Sequence, residues 1–146
     1  MDEYRTSNRN MWDELAEINA RSPFYDLAGF KAGGTALHPL ELNELGPDVP
    51  GKRLLHLQCH FGMDTLSWAC MGADVTGVDF SPRAVELARS IAAELGIPAR
   101  FICTDLYDLP SRLDETFDIV FTSYGVLTWL SDLKGWAELI SRYLRP

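Results

Sequence analysis

The stretch at residues 54–66, LLHLQCHFGMDTL, constrains the fold of this chain more than any other segment. Its leucines form an apolar run broken only by His56, which is the pattern of a parallel strand covered on both faces. Gly62 then permits a tight turn, and we expect Asp64 or Thr65 to cap the helix that follows. A strand, turn and helix in this order present unpaired backbone N–H groups at the helix N-terminus, where α/β proteins commonly hold a cofactor.

From residue 52 onward, apolar strand-like segments alternate with segments of helical periodicity. Strands are predicted at residues 53–57, 73–79, 99–103 and 117–122, and helices at residues 64–71, 82–95 and 130–144. Strands that are separated by helices imply right-handed βαβ crossovers and a parallel sheet. We therefore predict an α/β fold with a Rossmann-like parallel sheet of about four strands.

The first fifty residues differ from the rest in composition and pattern. Helical spacing predicts an amphipathic helix at residues 8–20 and a second helix at residues 37–45, and the segment 21–34 between them is expected to be an ordered loop. We hypothesise that four aromatic residues of this part form a lid over a cofactor site, namely Trp12, Phe24, Tyr25 and Phe30. The chain then divides into a helical and aromatic lid segment at residues 1–50 and a truncated Rossmann-like domain at residues 51–146.

Charge and composition exclude several classes of protein. A net charge of −8 without a visible basic patch disfavours a DNA or RNA partner. The odd number of cysteines, all in or beside apolar segments, suits reduced packed thiols in a cytoplasmic protein better than a disulfide framework. No apolar run approaches the length that a membrane span requires, and the N-terminus lacks the apolar core of a signal peptide.

The chain stops directly after the predicted helix at residues 130–144 and before any further strand. The last predicted strand, at residues 117–122, would then lie at an edge of the sheet, and apolar edge strands tend to be covered or paired with another chain. Two explanations stay open at this point, a fragment of a longer protein and a homodimer that covers the sheet edge.

Two aspartates follow predicted strands at the edge where a cofactor would bind. Asp79 ends the second strand and lies 17 residues after Gly62, close to where nucleotide-binding α/β folds place an acid on the ribose hydroxyls. Its alternative role is to cap the next helix together with Ser81. Asp105 follows the third strand and could accept a hydrogen bond from an adenine amino group, or form an Asx-turn instead.

Read together, these positions resemble the class I S-adenosylmethionine-dependent methyltransferases. The resemblance covers residues 52–146 and is carried by HLQCHFG, VTGVDFS, FICTDLYDLP and FDIVFTSYGVLTWL, in that order. It implies S-adenosylmethionine as the cofactor and methyl transfer as the activity. Because the family's sheet has further strands, it also implies that this chain carries the cofactor-binding half of the fold or slightly more.

The first of these motifs departs from the family pattern of an acid and three glycines. His56 stands at the acid, Gln58 and His60 stand at the first two glycines, and Gly62 alone remains. S-adenosylmethionine has no pyrophosphate, so this loss is tolerable for it but argues against NAD or FAD. A zinc site built on these histidines and Cys59 is disfavoured, since the spacing gives no clean ligand pairs.

The resemblance implies a set of site residues. The expected cofactor contacts are Leu57, Gln58, Cys59, His60, Gly62, Asp64, Thr65, Asp79, Phe80, Ser81, Asp105, Leu106 and Ser123. Tyr124 is the catalytic candidate, as the residue that orients the methyl acceptor, although it could equally be a core aromatic. The segment after the fourth strand lacks the Asn-Pro-Pro-Tyr signature of base methylation, which favours a small-molecule acceptor.

Two other functions remain open at the level of sequence. The first is a non-catalytic or truncated methyltransferase-like domain that serves only in assembly. The second is a dinucleotide-dependent oxidoreductase domain, which the missing glycines disfavour.

Overall fold

The computed structural model describes residues 2–146. The helices are α1 (Glu3–Ala20), α2 (Leu27–Lys31), α3 (Pro39–Glu44), α4 (Met63–Cys70), α5 (Pro82–Leu95) and α6 (Leu133–Tyr143), and the strands are β1 (Arg53–Leu57), β2 (Asp74–Asp79), β3 (Arg100–Cys103) and β4 (Ile119–Thr122). Short 3₁₀ helices lie at Gly46–Asp48, Leu106–Ser111 and Leu127–Trp129. None of the helices in this part of the chain is both long and apolar enough to cross a membrane.

The four strands form one parallel sheet in the order β3-β2-β1-β4, which confirms the predicted α/β fold. The chain runs from β1 outward through β2 to β3 and then returns to place β4 on the other side of β1. The strand order therefore reverses between β1 and β4. In open α/β sheets, ligands bind in the crevice outside the carboxyl ends of the strands at such a switch point.

Strand β1 is buried on both faces, and this explains why its leucines occur at both odd and even positions. Leu55 and Leu57 pack on one face in a cluster that includes Tyr143 of helix α6. Leu54 packs on the other face in a cluster that includes the fully buried Trp68 of helix α4. A strand with helices on both sides favours apolar residues on both faces, and three of the five residues of β1 are leucines.

Several helices begin at other residues than predicted, because the side chains that cap them lie elsewhere in the sequence. Helix α1 begins at Glu3 rather than at residue 8, since the Asp2 carboxylate accepts a hydrogen bond from the Arg5 backbone N–H at 2.8 Å. The segment expected to be a loop contains helix α2, whose N-terminus is capped by Asp26. Helix α6 begins only after Asp132, whose carboxylate accepts from the Gly135 N–H.

The prediction that Asp64 or Thr65 caps helix α4 is wrong. The helix begins at Met63, and Gly62 occupies the N-cap position with a left-handed φ of +80° and no side-chain cap. Both predicted capping residues therefore lie inside the first turn of the helix. Their side chains are free for other contacts, which are described with the site below.

The outer edge of β4 is paired at one end by residues of the same chain. Phe117 forms an isolated parallel bridge with Leu144, and its N–H donates to the Tyr143 carbonyl at 2.8 Å. The Arg145 N–H donates in turn to the Phe117 carbonyl at 3.0 Å. The predicted strand at residues 117–122 is thus an edge strand of four residues, Ile119–Thr122, that is extended by one bridge.

Substitution of Gly62 by alanine should destabilise the fold more than substitution of another glycine with the same backbone angle. An added Cβ at Gly62 would lie 2.8 Å from the Phe101 ring, whereas at Gly51, with a φ of +76°, it would meet nothing within 4 Å. We expect Gly51→Ala to cost about 1 kcal/mol of unfolding free energy for left-handed strain, and Gly62→Ala about 2–4 kcal/mol for strain plus overpacking.

Chemical denaturation of both variants beside the unaltered protein measures this difference. Equal destabilisation by the two substitutions would contradict the prediction, because it would mean that the Phe101 ring moves aside without cost.

Candidate functional site

A cavity of about 850 Å³ lies at the carboxyl ends of the strands, at the switch point between β1 and β4. Its floor is the turn that follows β1, and its sides are the residues that follow β2, β3 and β4. Helix α1 and the segment between α1 and α3 lie over it. A cavity of this size at this place is typical of cofactor sites in α/β folds.

The turn after β1 holds left-handed backbone at both positions where glycine has been replaced. Gln58 has a φ of +57° and His60 a φ of +52°, angles that residues with a Cβ adopt at a cost. The Cys59 N–H between them donates to the Val78 carbonyl at 2.9 Å, which ties the turn to strand β2. The chain therefore keeps a glycine-type turn while two side chains project from it towards the cavity.

Asp79 ends strand β2 with its carboxylate almost fully buried. One oxygen accepts from the His60 N–H at 2.8 Å, and the other accepts from the Ser81 N–H at 3.0 Å. Burial raises the pKa of Asp79 to about 6, although the backbone N–H groups oppose the shift. Each oxygen retains a lone pair, so the carboxylate can still accept hydrogen bonds from a ligand in the cavity.

Asp105 forms the Asx-turn that the sequence allowed, and it also lies at the cavity, where contact with an adenine stays a prediction. Its carboxylate accepts from the Tyr107 N–H at 2.9 Å, which is the Asx-turn, and the residue also lines the cavity. The guanidinium of Arg5 lies 3.3 Å from the same oxygen and stacks over the Tyr107 ring. No sequence signal pointed to Arg5, because it lies a hundred residues away from its partner.

Helix α1 contributes an aromatic and polar cover to the cavity. Trp12 packs edge-on against the His60 ring, with centroids 5.2 Å apart, and against Trp129 at 5.5 Å. The Asn19 amide lies 3.1 Å from His60 Nε2. His60 is thus held by two residues of α1, and burial lowers its pKa to about 4.

Three of the four aromatic residues that are hypothesised to form a lid lie at the cavity, and the lid itself stays a prediction. Trp12, Phe24 and Tyr25 line the cavity. Phe30 does not, because it is buried in the cluster that also contains Phe61 and helix α5. It lies in helix α2, within the segment that the sequence predicts to be a loop.

Helix α1 is anchored to the start of helix α5. Asp13 accepts from the Ser81 hydroxyl and from the Arg83 backbone N–H, and Glu17 forms an ion pair with the Arg83 side chain. Ser81 is consequently fully buried and also caps helix α5 through the Ala84 N–H. Its hydroxyl ties helix α1 to helix α5, and the residue does not line the cavity.

Asp64 and Tyr25 are ionisable residues of the cavity wall, and Asp64 influences the pKa of Tyr25. Burial raises the pKa of Asp64 to about 6, and the nearby Glu41 adds to the shift. Burial also raises the pKa of Tyr25, with a smaller contribution from Asp64. Asp64 faces the cavity at the first turn of α4 and is not a helix cap.

The buried histidine of strand β1 connects helix α4 to the end of strand β4. His56 Nδ1 lies 2.8 Å from the Thr65 hydroxyl, and Nε2 lies 3.3 Å from the Ser123 hydroxyl. Burial lowers the pKa of His56 to about 3, so the ring is neutral. Thr65 is fully buried behind this ring and does not reach the cavity.

The structure brings most of the predicted site residues to one cavity. Those that line it are Gln58, Cys59, His60, Gly62, Asp64, Asp79, Phe80, Asp105, Leu106, Ser123 and Tyr124. Leu57, Thr65 and Ser81 are fully buried behind this surface and are absent from the lining. The three are predicted by position in the motifs, but the Leu57 side chain packs in the core, Thr65 meets His56, and the Ser81 hydroxyl donates to Asp13.

The cavity suits a ligand with hydrogen-bond donors and apolar surface. Buried carboxylates at the ends of β2 and β3 offer acceptors, and rings from α1 and from the segment after β4 offer flat apolar walls. Within residues 2–146, no group of three or more His, Cys, Asp and Glu side chains is arranged to hold a metal ion. A nucleoside with free ribose hydroxyls fits this set better than a phosphate group does.

Comparison with known proteins agrees with the geometry. Residues 54–146 match the family model described as a methyltransferase domain. The ubiquinone biosynthesis O-methyltransferase of Proteus mirabilis is 31% identical over 137 residues, which are 92% of this chain and 55% of that protein. The protein of the same name from Chromobacterium violaceum is 24% identical and covers all of this chain and 58% of its own length.

Solved structures show the same likeness. One, from work on the conversion of a disulfide bond into a thioacetal group during echinomycin biosynthesis, superposes with a TM-score of 0.72 at 28% identity, over 94% of this chain and 56% of that one. The S-adenosylmethionine-dependent methyltransferase of Geobacter sulfurreducens, in complex with S-adenosyl-L-homocysteine, has a TM-score of 0.59 at 28% identity, over 77% and 46%.

The chain spans 55–58% of the length of the two O-methyltransferases named above. The family match nevertheless covers well over half of this chain, from strand β1 to its last residue. The chain therefore belongs to the methyltransferase domain family, among the class I S-adenosylmethionine-dependent methyltransferases.

Proposed function

We propose that this chain binds S-adenosylmethionine in the cavity at the switch point and forms the cofactor-binding portion of a methyltransferase for a small-molecule acceptor. The observation that carries the proposal is the buried Asp79 carboxylate at the end of β2, which faces the cavity with acceptor capacity to spare. Ribose hydroxyls are the donors that such a carboxylate takes in nucleotide-binding α/β folds.

The other contacts are assigned by position in the family motifs. Asp105 and Leu106 are placed at the adenine, and the turn of residues 58–62 is placed at the methionine portion. A turn without its first two glycines cannot let a pyrophosphate approach its backbone closely, so the arrangement favours a phosphate-free nucleoside over NAD or FAD. This leaves a dinucleotide-dependent oxidoreductase without support.

S-adenosylmethionine, when bound, supplies a methyl group activated by its sulfonium. The residues of this chain then align the acceptor with that group and exclude water. Trp12 of the lid and Trp129 meet edge-on across the cavity and would shield the reacting atoms. Tyr124, which is 60% exposed at the cavity wall, is placed to orient the acceptor.

The acceptor is proposed to be a small molecule with apolar surface. Phe24 and Leu40 line the cavity and are largely exposed, so they can cover an apolar molecule that enters beside the cofactor. The net charge of −8 disfavours nucleic acid. Relatives that are named O-methyltransferases support an oxygen atom as the group that is methylated.

Residues 1–50 are proposed to act as the lid of residues 51–146. The ion pair of Glu17 with Arg83 and the Asp13 contacts fix α1 to the second part of the chain. A role in assembly alone does not explain why buried carboxylates line a cavity of this size. The homodimer across the edge of β4 stays a prediction.

Substitution of Asp79 should weaken cofactor binding. We expect Asp79→Asn to weaken binding of S-adenosylhomocysteine at least about tenfold, because charge-assisted hydrogen bonds to the ribose are lost. Asp74→Asn is the matched control, since Asp74 begins the same strand at the opposite edge of the sheet and is exposed. Isothermal titration calorimetry measures both, and an absence of binding heat in the unaltered protein would refute the proposed function.

Cofactor affinity should fall as the pH falls through about 6. The free protein holds the pKa of Asp79 at about 6, and ribose donors favour the ionised form, so the pKa in the complex is lower and binding releases a proton. We expect affinity to be weaker at about pH 5 than at about pH 7.5. Titrations in buffers of different ionisation enthalpy measure the proton release.

Asp64, whose pKa is also raised to about 6, is the competing source of such a proton. Asp79→Asn separates the two, because the proton released by Asp79 disappears in that variant while one from Asp64 persists. Undiminished proton release in Asp79→Asn would contradict the assignment to Asp79.

Loss of the lid contact should weaken cofactor binding without unfolding the protein. Trp12→Ala removes the ring that packs on His60 and Trp129, and we expect about a fivefold loss of S-adenosylhomocysteine affinity from lost aromatic packing. Tyr4→Ala is the matched control on the same helix, because Tyr4 is exposed and lies outside the cavity lining. Equal affinity of the two variants would contradict the lid.

A further inference from the structure

His56 occupies the position where the family motif has an acid, and its surroundings are unusual for a polar residue. It lies in β1, between Gly77 of β2 and Phe121 of β4, and is 1% exposed. The Phe121 ring packs edge-on against it with centroids 4.8 Å apart. A polar ring in such a place is retained only if both of its nitrogen atoms find partners.

Both nitrogen atoms do find a hydroxyl group. Thr65 Oγ1 is 2.8 Å from Nδ1, and Ser123 Oγ is 3.3 Å from Nε2. Burial keeps the ring neutral, so it has one N–H donor and one lone pair to share between the two hydroxyls. Which nitrogen carries the proton decides which way the Ser123 hydroxyl is polarised.

The buried hydroxyl of Thr65 settles the direction of the first hydrogen bond. Thr65 is 0% exposed, so its proton needs an acceptor within the protein. The lone pair of an imidazole nitrogen at 2.8 Å is a strong acceptor, and that distance is usual for a hydroxyl donor. The Cys59 thiol also lies within reach of Thr65, but sulfur is a weak acceptor.

The second hydrogen bond follows from the first. If Thr65 donates to Nδ1, the ring proton is on Nε2 and donates to Ser123 Oγ, and the longer distance of 3.3 Å suits an N–H donor. Ser123 has no other hydrogen-bond partner among the described residues, and it lines the cavity. Its own hydroxyl proton is therefore free to point into the cavity.

We propose that His56 is a positioning residue that makes Ser123 a hydrogen-bond donor to an anionic oxygen of the molecule in the cavity. Two sources of that oxygen share this chemistry, the carboxylate of the cofactor's amino-acid portion and the ionised hydroxyl of a methyl acceptor. The choice between these sources rests on the proposed function. The polarity of the hydrogen bonds does not, since it is a property of the protein alone.

This donor complements the rest of the cavity. Asp64, Asp79 and Asp105 line the cavity with carboxylates, which repel an anionic group. A cation beside them would be neutralised by ion pairing, as Arg5 is by Asp105. The neutral Ser123 hydroxyl, held by the neutral His56 ring, provides a hydrogen-bond donor that forms no ion pair with these carboxylates.

The tautomer of His56 tests the polarity directly, in the protein without ligand. Long-range ¹⁵N–¹H correlation spectra should show His56 protonated on Nε2 and not on Nδ1. Thr65→Ser keeps the hydroxyl and should keep this tautomer and the ¹⁵N shift of Nδ1. Thr65→Val removes the donor, so Nε2 should stay protonated while the Nδ1 resonance moves downfield, to the shift of a nitrogen lone pair without a hydrogen bond. A ring protonated on Nδ1 in the unaltered protein, with Thr65 donating to Cys59, would overturn the proposal.

Binding measurements with Ser123→Ala identify the source of the anionic oxygen. About a tenfold loss of S-adenosylhomocysteine affinity, with unchanged affinity for 5′-methylthioadenosine, would assign the cofactor carboxylate. Unchanged affinity for both, with weaker binding of p-nitrophenolate to the S-adenosylhomocysteine complex, would assign the acceptor. Equal losses for both nucleosides, or no loss for any of the three probes, would overturn the proposal.

These results separate the inference from the proposed function. If the unaltered protein binds no S-adenosylhomocysteine, the proposed function fails, yet the tautomer of His56 still reports on the hydrogen bonds. If S-adenosylhomocysteine binds and the tautomer is the other one, the proposed function stands and the role of His56 is refuted.

Discussion

The parallel pairing of β1 between β2 and β4 is the constraint on which the rest of the structure depends. It places the carboxyl ends of all four strands at the same end of the sheet. A crevice opens there because β2 and β3 follow on one side of β1, whereas the chain returns to place β4 on the other side. Asp79 ends β2, Asp105 follows β3 and Ser123 follows β4, and the three line one cavity only because of this pairing. Burial of β1 on both faces makes its register strict, since a slip of one residue would exchange the two faces.

The turn after β1 has a left-handed backbone at two residues that are not glycine, and contacts with neighbouring segments hold it. Gln58 and His60 keep left-handed angles that cost free energy, and each side chain contacts a neighbouring segment. The Gln58 amide donates to the Val126 carbonyl at 3.4 Å, and His60 packs under helix α1. Gln58 thus joins the turn to the segment after β4, and His60 joins it to helix α1.

Much of the fold was predictable because it follows from local pattern. Alternating apolar and amphipathic segments predicted all four strands and the parallel sheet, and Ser81 and Pro82 predicted the start of helix α5 correctly. The errors lie at helix ends and in the aromatic segment, where capping decides the outcome. Asp26 starts helix α2 from a left-handed conformation, which periodicity does not reveal, and this helix takes Phe30 away from the lid.

The sequence by itself determined the strand-turn-helix unit, the order of the strands and helices along the chain, and the acids that follow β2 and β3. These depend on residues near one another in the chain, and hydrophobic periodicity encodes them directly. Tertiary structure alone decided that Leu57 and Thr65 turn away from the cavity, that Ser81 meets Asp13, that Arg5 meets Asp105, and that His56 joins Thr65 to Ser123. Such contacts join residues far apart in the chain, and their partners are set by the packing of whole elements.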